Sequence, residues 1–207
     1  MLYLISRTIF EIFIRVLFKL HIFFLGDLPK PPFIVVSNHS SLLDPPLVGV
    51  ACRKYCVNFM AKKELFDGPV IGMWSRRVQC IEVKRGDNSV RSLKEALKRL
   101  KEGRVVGVFP EGTRSADGTM QEAKRGTGFL VSKGNVPVVP VYVEGSGKAF
   151  PKGGGVRRGT EINVFVGKPI PAGELLIKTV SGKIDYEEIS SLVMKKIRDL
   201  KDTKCGM

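Results

Sequence analysis

Residues 33–46 read FIVVSNHSSLLDPP, and this stretch decides which kind of fold the chain adopts. Phe33–Val36 is an apolar, largely β-branched run, as expected of a buried strand. A polar loop follows, and Pro45-Pro46 then favours the first turn of a helix, where proline is tolerated. A strand that passes through a short loop into a helix is typical of α/β folds.

The same alternation of short β-rich runs and helical patterns continues along the rest of the chain. The predicted strands are Phe33–Val36, Cys56–Met60, Val78–Val83, Arg104–Phe109, Val136–Val143 and Glu161–Val166. The predicted helices are Pro45–Cys52, Pro69–Arg76, Ser89–Lys101, Gly126–Lys133 and Asp185–Leu200. The order predicts one α/β domain over residues 26–207, with a mostly parallel sheet flanked by helices.

The first 25 residues are the most apolar part of the chain and predict a separate amphipathic helix over residues 1–25. Its charged residues recur every four positions and form one stripe along the helix: Arg7, Glu11, Arg15 and Lys19. This pattern favours a membrane-associated helix that lies in the interface. Two alternatives stay open, a helix docked on its own domain and a helix that carries these charges across the bilayer.

The balance of charge predicts an anionic partner. The chain has 34 Lys and Arg against 20 Asp and Glu, a formal net charge of +14. Nucleic acid, an acidic membrane surface and phosphorylated substrates all fit this excess. Nucleic acid is disfavoured, because the sequence has neither a zinc-finger spacing nor an RNP-type motif. The two histidines and four scattered cysteines predict no metal site and no disulfide framework.

His39 and Asp44 are the first candidate catalytic pair. Within one helix their five-residue separation would turn the side chains roughly 140° apart. We therefore expect His39 in the loop and Asp44 at the helix start. The carboxylate can then reach the imidazole, fix its tautomer and stabilise the imidazolium that forms when His39 accepts a proton. The spacing alone equally fits an Asp44 that only caps the helix.

A second polar loop follows the predicted strand Arg104–Phe109 and reads PEGTRS over residues 110–115. Arg114 suits a phosphate group, which a guanidinium binds through two parallel hydrogen bonds. Gly112 allows a backbone N–H to approach a ligand closely, and we expect Glu111 to orient hydroxyl groups. The loop thus predicts a phosphate-binding site at the end of a strand.

Basic residues follow two further predicted strands. Lys62-Lys63 comes after Cys56–Met60, and Lys84-Arg85 comes after Val78–Val83. Each pair by itself is typical of an exposed basic turn. Because the carboxyl ends of parallel strands meet at one edge of a sheet, we expect these cations to converge with His39 and the PEGTRS loop.

Together these motifs resemble those of the glycerolipid acyltransferases of the 1-acylglycerol-3-phosphate type. HSSLLD at residues 39–44 resembles the H-x4-D motif of this family, and FPEGTRS at residues 109–115 matches its F-P-E-G-T-R-S motif completely. AKKELF at residues 61–66 and VVPV at residues 138–141 are similar to further family elements, in the same order. The resemblance covers roughly residues 33–145.

The resemblance implies the glycerolipid acyltransferase fold and an acyl transfer from acyl-CoA or acyl-ACP to lysophosphatidic acid, giving phosphatidic acid. It implies no further cofactor and no metal. His39 is expected to be the general base for the free sn-2 hydroxyl, with Asp44 orienting it. The substrate-binding residues it implies are Lys62, Arg85, Glu111, Gly112, Thr113 and Arg114. One position departs from the family, because Lys84 stands where Asp is common.

The resemblance also implies a location at the cytoplasmic face of the cell membrane, peripheral or monotopic, with anionic lipid and not nucleic acid as the partner. Acylation of glycerol 3-phosphate or of another lysophospholipid requires the same chemistry and stays an alternative. A catalytically silent membrane-binding relative is a further alternative, against which the intact His39–Asp44 pair argues.

Overall fold

The computed structural model describes residues 2–52, 54–83, 89–115 and 117–203. The strands are β1 (Lys19–Phe24), β2 (Phe33–Ser37), β3 (Val57–Lys62), β4 (Ile81–Val83), β5 (Val105–Val108), β6 (Val138–Glu144) and β7 (Glu161–Val166). The helices are α1 (Leu2–Leu17), α2 (Asp44–Ala51), α3 (Pro69–Arg77), α4 (Ser89–Lys101), α5 (Arg125–Gly134), α6 (Ser146–Ala149), α7 (Ala172–Leu175) and α8 (Tyr186–Thr203). A short 3-10 helix follows β3 at Lys63–Leu65.

The strands form a seven-stranded sheet in the order β1-β7-β6-β2-β5-β3-β4. Neighbours run parallel except for the antiparallel pair of β6 and β7, which confirms the predicted mostly parallel sheet. The carboxyl ends of β2, β3, β5 and β6 therefore meet at one edge, which we call the carboxyl edge. Because β7 runs the other way and β1 is parallel to it, the amino ends of β1 and β7 lie at this edge too.

Helices cover both faces of the sheet, and β2 shows how the core is divided between them. Phe33 and Val35 belong to the core beneath α1 and α2, whereas Ile34 and Val36 belong to the core beneath α4, α5 and α8. All four side chains are buried. Successive residues of a strand point to opposite faces. A central strand covered on both sides is therefore a continuous apolar run.

The N-terminal segment differs from the prediction of one helix over residues 1–25. α1 ends at Leu17, and Lys19–Phe24 forms β1, which pairs in parallel with β7. The prediction is therefore wrong beyond Leu17. Pairing with β7 places Leu20 beside Ile162, and both side chains are buried in the core beneath α1 and α2. The strand partner lies far along the chain, so a local pattern could not reveal it.

α1 packs on the domain through one face and exposes a second apolar face. Ile14 is fully buried beneath the helix, and Arg15 Nε donates to Glu11 Oε1, one turn earlier, at 3.1 Å. The exposed apolar side chains are those of Ile5, Ile9, Ile12, Phe13 and Val16. Across the described ranges, no helix has both the length and the hydropathy needed to cross a bilayer.

The segment around β4 is shorter than its prediction. The strand predicted at Val78–Val83 is confined to Ile81–Val83, because α3 continues to Arg77 and Gln79 turns the chain with a φ of 59°. The predicted residues Lys84 and Arg85 lie outside the described residues.

Candidate active site

His39 and Asp44 are in direct contact at the carboxyl edge. β2 ends at Ser37, α2 begins at Asp44, and the loop between them brings His39 Nδ1 to 2.9 Å from Asp44 Oδ2. The imidazole is 16% exposed and the carboxylate 0%. An ionised carboxylate only accepts hydrogen bonds, so this contact places the proton of a neutral imidazole on Nδ1. The Nε2 lone pair then stays available for a substrate proton.

Asp44 holds the His39 loop and does not cap α2. Its Oδ2 also accepts hydrogen bonds from the backbone N–H of Ser40 at 2.6 Å and of Ser41 at 2.7 Å. Both amides precede the helix, and no side chain caps the amino end of α2. Of the two interpretations that the spacing left open, the geometry therefore favours the orientation of His39.

Glu111 supports the backbone of His39 from the PEGTRS loop. This carboxylate is 2% exposed. Its Oε1 accepts the N–H of His39 at 2.8 Å and its Oε2 accepts the N–H of Gln121 at 2.9 Å. Burial raises the pKa of the Glu111 carboxyl, and the two backbone hydrogen bonds oppose that shift. We expected Glu111 to orient a hydroxyl group, but here its two oxygens bind backbone amides.

The PEGTRS loop also holds the other side of His39. The backbone N–H of Ser115 donates to the His39 carbonyl oxygen at 2.8 Å. Residues from two distant parts of the chain are thus joined around one histidine, through its N–H to Glu111 and through its C=O to Ser115. This double attachment limits how far the imidazole can move relative to the PEGTRS loop.

A row of aromatic rings packs against the imidazole. The Phe109 ring stacks on His39 with centroids 4.2 Å apart and an interplanar angle of 21°. Phe59 stacks on Phe109 in turn, at 5.6 Å and 13°. Phe109 belongs to the FPEGTRS motif, but we predicted no role for its ring from the sequence. Its position directly after β5, next to the loop, is the signal that could have identified it.

Lys124 is a further candidate site residue, which no sequence motif predicted. A Cβ built on Gly112 would lie 2.9 Å from Lys124 Nζ, so the lysine side chain crosses directly over this glycine. Gly112 also has a φ of 68°, which favours glycine. The N–H of Lys124 donates to the Pro110 carbonyl oxygen at 2.9 Å, which fixes the chain before α5 on the loop. In the part of the chain that the structure describes, no carboxylate forms an ion pair with Lys124.

The remaining predicted binding residues lie around the same edge. The Arg114 side chain is partly buried, and within the described ranges it has no hydrogen-bond or ion-pair partner. Thr113 Oγ1 donates to Gln121 Oε1 at 3.4 Å. Lys62 is exposed at the carboxyl end of β3, two strands from β2. Arg85 lies outside the described residues, so its role stays a prediction.

Asn38, next to His39, fixes the loop to the neighbouring strand β6. Its Nδ2 donates to the Val143 carbonyl oxygen at 2.8 Å, and its Oδ1 accepts the Val143 N–H at 2.7 Å. The side chain thus extends the β2–β6 pairing beyond the last strand residue.

No group of three or more His, Cys, Asp or Glu side chains suited to a metal ion occurs among the described residues.

Comparisons with known proteins identify the family to which this fold and sequence are similar. The sequence profile of the Acyltransferase family matches residues 21–144. The 1-acyl-sn-glycerol-3-phosphate acyltransferase of Bacillus subtilis (strain 168) is 34% identical over 140 residues, which cover 67% of this chain and 66% of that protein. The Saccharomyces cerevisiae enzyme of the same name is 34% identical over 155 residues, 72% of this chain and 50% of that protein. The matched region thus spans less than two thirds of these relatives.

A solved structure shares the fold. The 1-acyl-sn-glycerophosphate (LPA) acyltransferase PlsC from Thermotoga maritima superposes with a TM-score of 0.69 at 28% identity, covering 87% of this chain and 72% of that one. The matched profile includes both the His39–Asp44 pair and the PEGTRS loop, which the fold brings together at the carboxyl edge. This chain therefore belongs to the Acyltransferase family.

Proposed function

We propose that this protein transfers an acyl chain from a thioester donor, acyl-CoA or acyl-ACP, to the sn-2 hydroxyl of lysophosphatidic acid and so makes phosphatidic acid. The observation that carries the proposal is the 2.9 Å contact between His39 Nδ1 and Asp44 Oδ2 beside a loop rich in phosphate-binding groups. The similar proteins in Bacillus subtilis and Saccharomyces cerevisiae carry the name of this activity.

In the proposed reaction, His39 acts as a general base and no acyl-enzyme forms. Nε2 takes the proton of the acceptor hydroxyl while the hydroxyl oxygen attacks the thioester carbonyl carbon. The carbon–sulfur bond then breaks, and the departing thiolate receives the proton from the imidazolium. Asp44 stabilises that imidazolium through Nδ1. Base catalysis of this kind contributes about 10²–10⁴-fold in rate.

Cations at the carboxyl edge are proposed to hold the phosphate of the acceptor. Arg114 lacks a protein partner within the described ranges and offers two parallel donors, the geometry that suits a phosphate. Lys124 places an ammonium above Gly112 in the same loop. Lys62 lies on the side of the edge toward β4, from which Arg85 follows in sequence. These groups would leave the glycerol hydroxyl beside His39.

The acceptor is a lipid, and we propose that α1 attaches the enzyme to the cytoplasmic face of the membrane. Its exposed apolar face, Ile5, Ile9, Ile12, Phe13 and Val16, lies opposite the face that packs on the domain. A contiguous exposed apolar surface of this kind marks an interaction site. An amphipathic helix lying in the interface buries such a face among lipid headgroups and upper acyl chains.

The proposal is tested by acyl transfer from labelled acyl-CoA, and separately from acyl-ACP, to lysophosphatidic acid in mixed micelles. Wild type should form labelled phosphatidic acid, and His39→Ala should lose it. His21→Ala is the matched control, because His21 is exposed in β1 and takes no part in the site. His39→Ala activity within threefold of wild type would refute the mechanism. Acyl transfer only to glycerol 3-phosphate or to another lysophospholipid would show that this molecule, and not lysophosphatidic acid, is the acceptor.

A further inference from the structure

The segment of residues 148–159, which we call the basic loop, follows the start of α6 and leads to β7. We propose that the basic loop is a second membrane-binding element, whose cations bind the anionic headgroups of the lipid surface that α1 enters. The inference rests on the proposed function, because it extends the membrane attachment proposed there for α1. No step of the reaction proposed above uses this loop.

The basic loop is a concentrated and unneutralised positive patch. It contains neither Asp nor Glu. Its cations are all exposed, and in the described part of the chain none of them forms an ion pair: Lys148, Lys152, Arg157 and Arg158. The flanking acids, Glu144 and Glu161, both accept hydrogen bonds from Asn163 Nδ2, at 3.2 and 2.9 Å. The positive charge of the loop is therefore available to an external anion.

One end of the basic loop is fixed to the end of α1. The backbone N–H of Gly159 donates to the Leu17 carbonyl oxygen at 2.8 Å, and the N–H of Lys19 donates to the Thr160 carbonyl oxygen at 3.1 Å. Val16, directly before Leu17, is 78% exposed. The exposed apolar face of α1 therefore extends to the point where the basic loop ends and β7 follows.

The other end of the basic loop is fixed to the loop of His39. Ser146 Oγ, in α6, lies 2.9 Å from Ser40 Oγ, and Ser41 Oγ donates to the Phe150 carbonyl oxygen at 2.8 Å. The basic loop thus connects α1 with the candidate active site along the carboxyl edge. An enzyme that takes its acceptor from a membrane needs this edge close to the lipid.

The chemistry of the loop favours a lipid surface over an acidic protein. Val156, which directly precedes Arg157 and Arg158 in the loop, is 50% exposed, and backbone hydrogen bonds attach the end of the loop to the end of α1 with its exposed apolar face. Anionic headgroups bind the cations, and the acyl region accepts the apolar side chains. An acidic protein partner satisfies only the first of these two features.

The test measures binding of the full chain to sedimenting vesicles of neutral phosphatidylcholine and of phosphatidylcholine mixed with anionic phosphatidylglycerol. The loop variant is Lys152→Gln/Arg157→Gln/Arg158→Gln. The control removes the same charge from exposed lysines of α4, on the opposite face of the sheet, as Lys94→Gln/Lys98→Gln/Lys101→Gln. Thermal unfolding of each variant verifies that it is folded.

We expect the loop variant to lose affinity for the anionic vesicles by about fivefold per cation, or on the order of 100-fold in total. Binding to neutral vesicles should be unchanged, and the difference should shrink at high salt. The control should lose much less affinity. Unchanged binding of a folded loop variant, or an equal loss in the control, would overturn the inference.

Turnover assays separate the inference from the proposed function. A loop variant that binds vesicles normally but transfers the acyl chain slowly only from acyl-ACP would show that the loop binds the acidic carrier protein. This result would overturn the proposal that the loop binds the membrane. Wild type that makes no phosphatidic acid in neutral micelles would refute the proposed reaction, whereas the vesicle comparison would still decide whether the loop binds lipid.

Discussion

Replacement of Gly107 by alanine is expected to disturb the aromatic row beside His39. Gly107 lies in β5, and a Cβ there would lie 2.4 Å from Cδ1 and 2.5 Å from Cε1 of Phe59. Carbon atoms in contact are ordinarily about 3.5–4.0 Å apart, so the ring must move by about 1 Å. Phe59 stacks on Phe109, and Phe109 stacks on His39. The displacement is therefore expected to reach the imidazole.

The size of the effect follows from this geometry. Overpacking of a buried site costs about 1–3 kcal/mol. For a domain of this size each kcal/mol lowers Tm by about 2–4 °C, so the Gly107→Ala variant should melt about 2–12 °C below wild type. A misplacement of about 1 Å at a reacting group costs up to about 100-fold in rate. We expect kcat to fall by about ten- to 100-fold.

Thermal unfolding and acyl transfer to lysophosphatidic acid measure the two effects. Phe59→Leu in the Gly107→Ala background removes Cε1 and replaces the flat ring by a branched side chain that can rotate its methyl groups away, so it should recover part of the lost Tm. Gly126→Ala is the matched control, because its Cβ would meet Leu93 at an ordinary 3.6 Å, and its Tm should stay close to that of wild type. A Gly107→Ala protein with the Tm and kcat of wild type would show that β5 tolerates the added methyl group and that the aromatic row does not position His39.

Two further predictions concern Lys124 and Gly128. Lys124→Met removes the ammonium above Gly112 but keeps an unbranched side chain, so KM for lysophosphatidic acid should rise about tenfold with little change in kcat, as expected for a lost charged hydrogen bond. Arg125→Met is the control for Lys124→Met, because the Arg125 guanidinium lies 5.7 Å from the Tyr186 ring centroid. An unchanged KM for Lys124→Met in initial-rate kinetics would exclude Lys124 from the acceptor site. Gly128→Ala would place a Cβ 1.9 Å from the Tyr186 carbonyl oxygen, between α5 and α8, and should cost about 3 kcal/mol or more of unfolding free energy. A urea midpoint equal to that of wild type would contradict this close approach of the two helices.

Several local elements could be predicted because their residues respond to their immediate surroundings. Phe33–Val36 is buried on both faces of the sheet, so its apolar run predicted a strand. The spacing of His39 and Asp44 across a strand–loop–helix junction allowed the contact that the structure contains. The strand predicted at Val78–Val83 was too long, because Gln79 turns the chain with a positive φ that no apolar pattern reveals.

The site was harder to predict wherever a residue acts through a distant partner. We expected Glu111 to orient hydroxyl groups, but its carboxylate accepts the N–H of His39, 72 residues earlier in the chain. Lys124 lies outside the PEGTRS loop and the other motifs, and the path of the chain before α5 brings its ammonium over Gly112. Neither contact leaves a periodic or local signal in the sequence.

Local sequence pattern was sufficient to predict the alternation of strands and helices and to place His39, Asp44 and the PEGTRS loop at the ends of strands, but it left open whether Asp44 contacts His39 or caps the helix. These features depend on apolar periodicity and on spacings of a few residues. Tertiary packing, and not local pattern, makes Lys19–Phe24 a strand and brings Glu111 and Ser115 to the backbone of His39. Such contacts join segments far apart along the chain, so they are set by how the whole chain packs and not by local propensity.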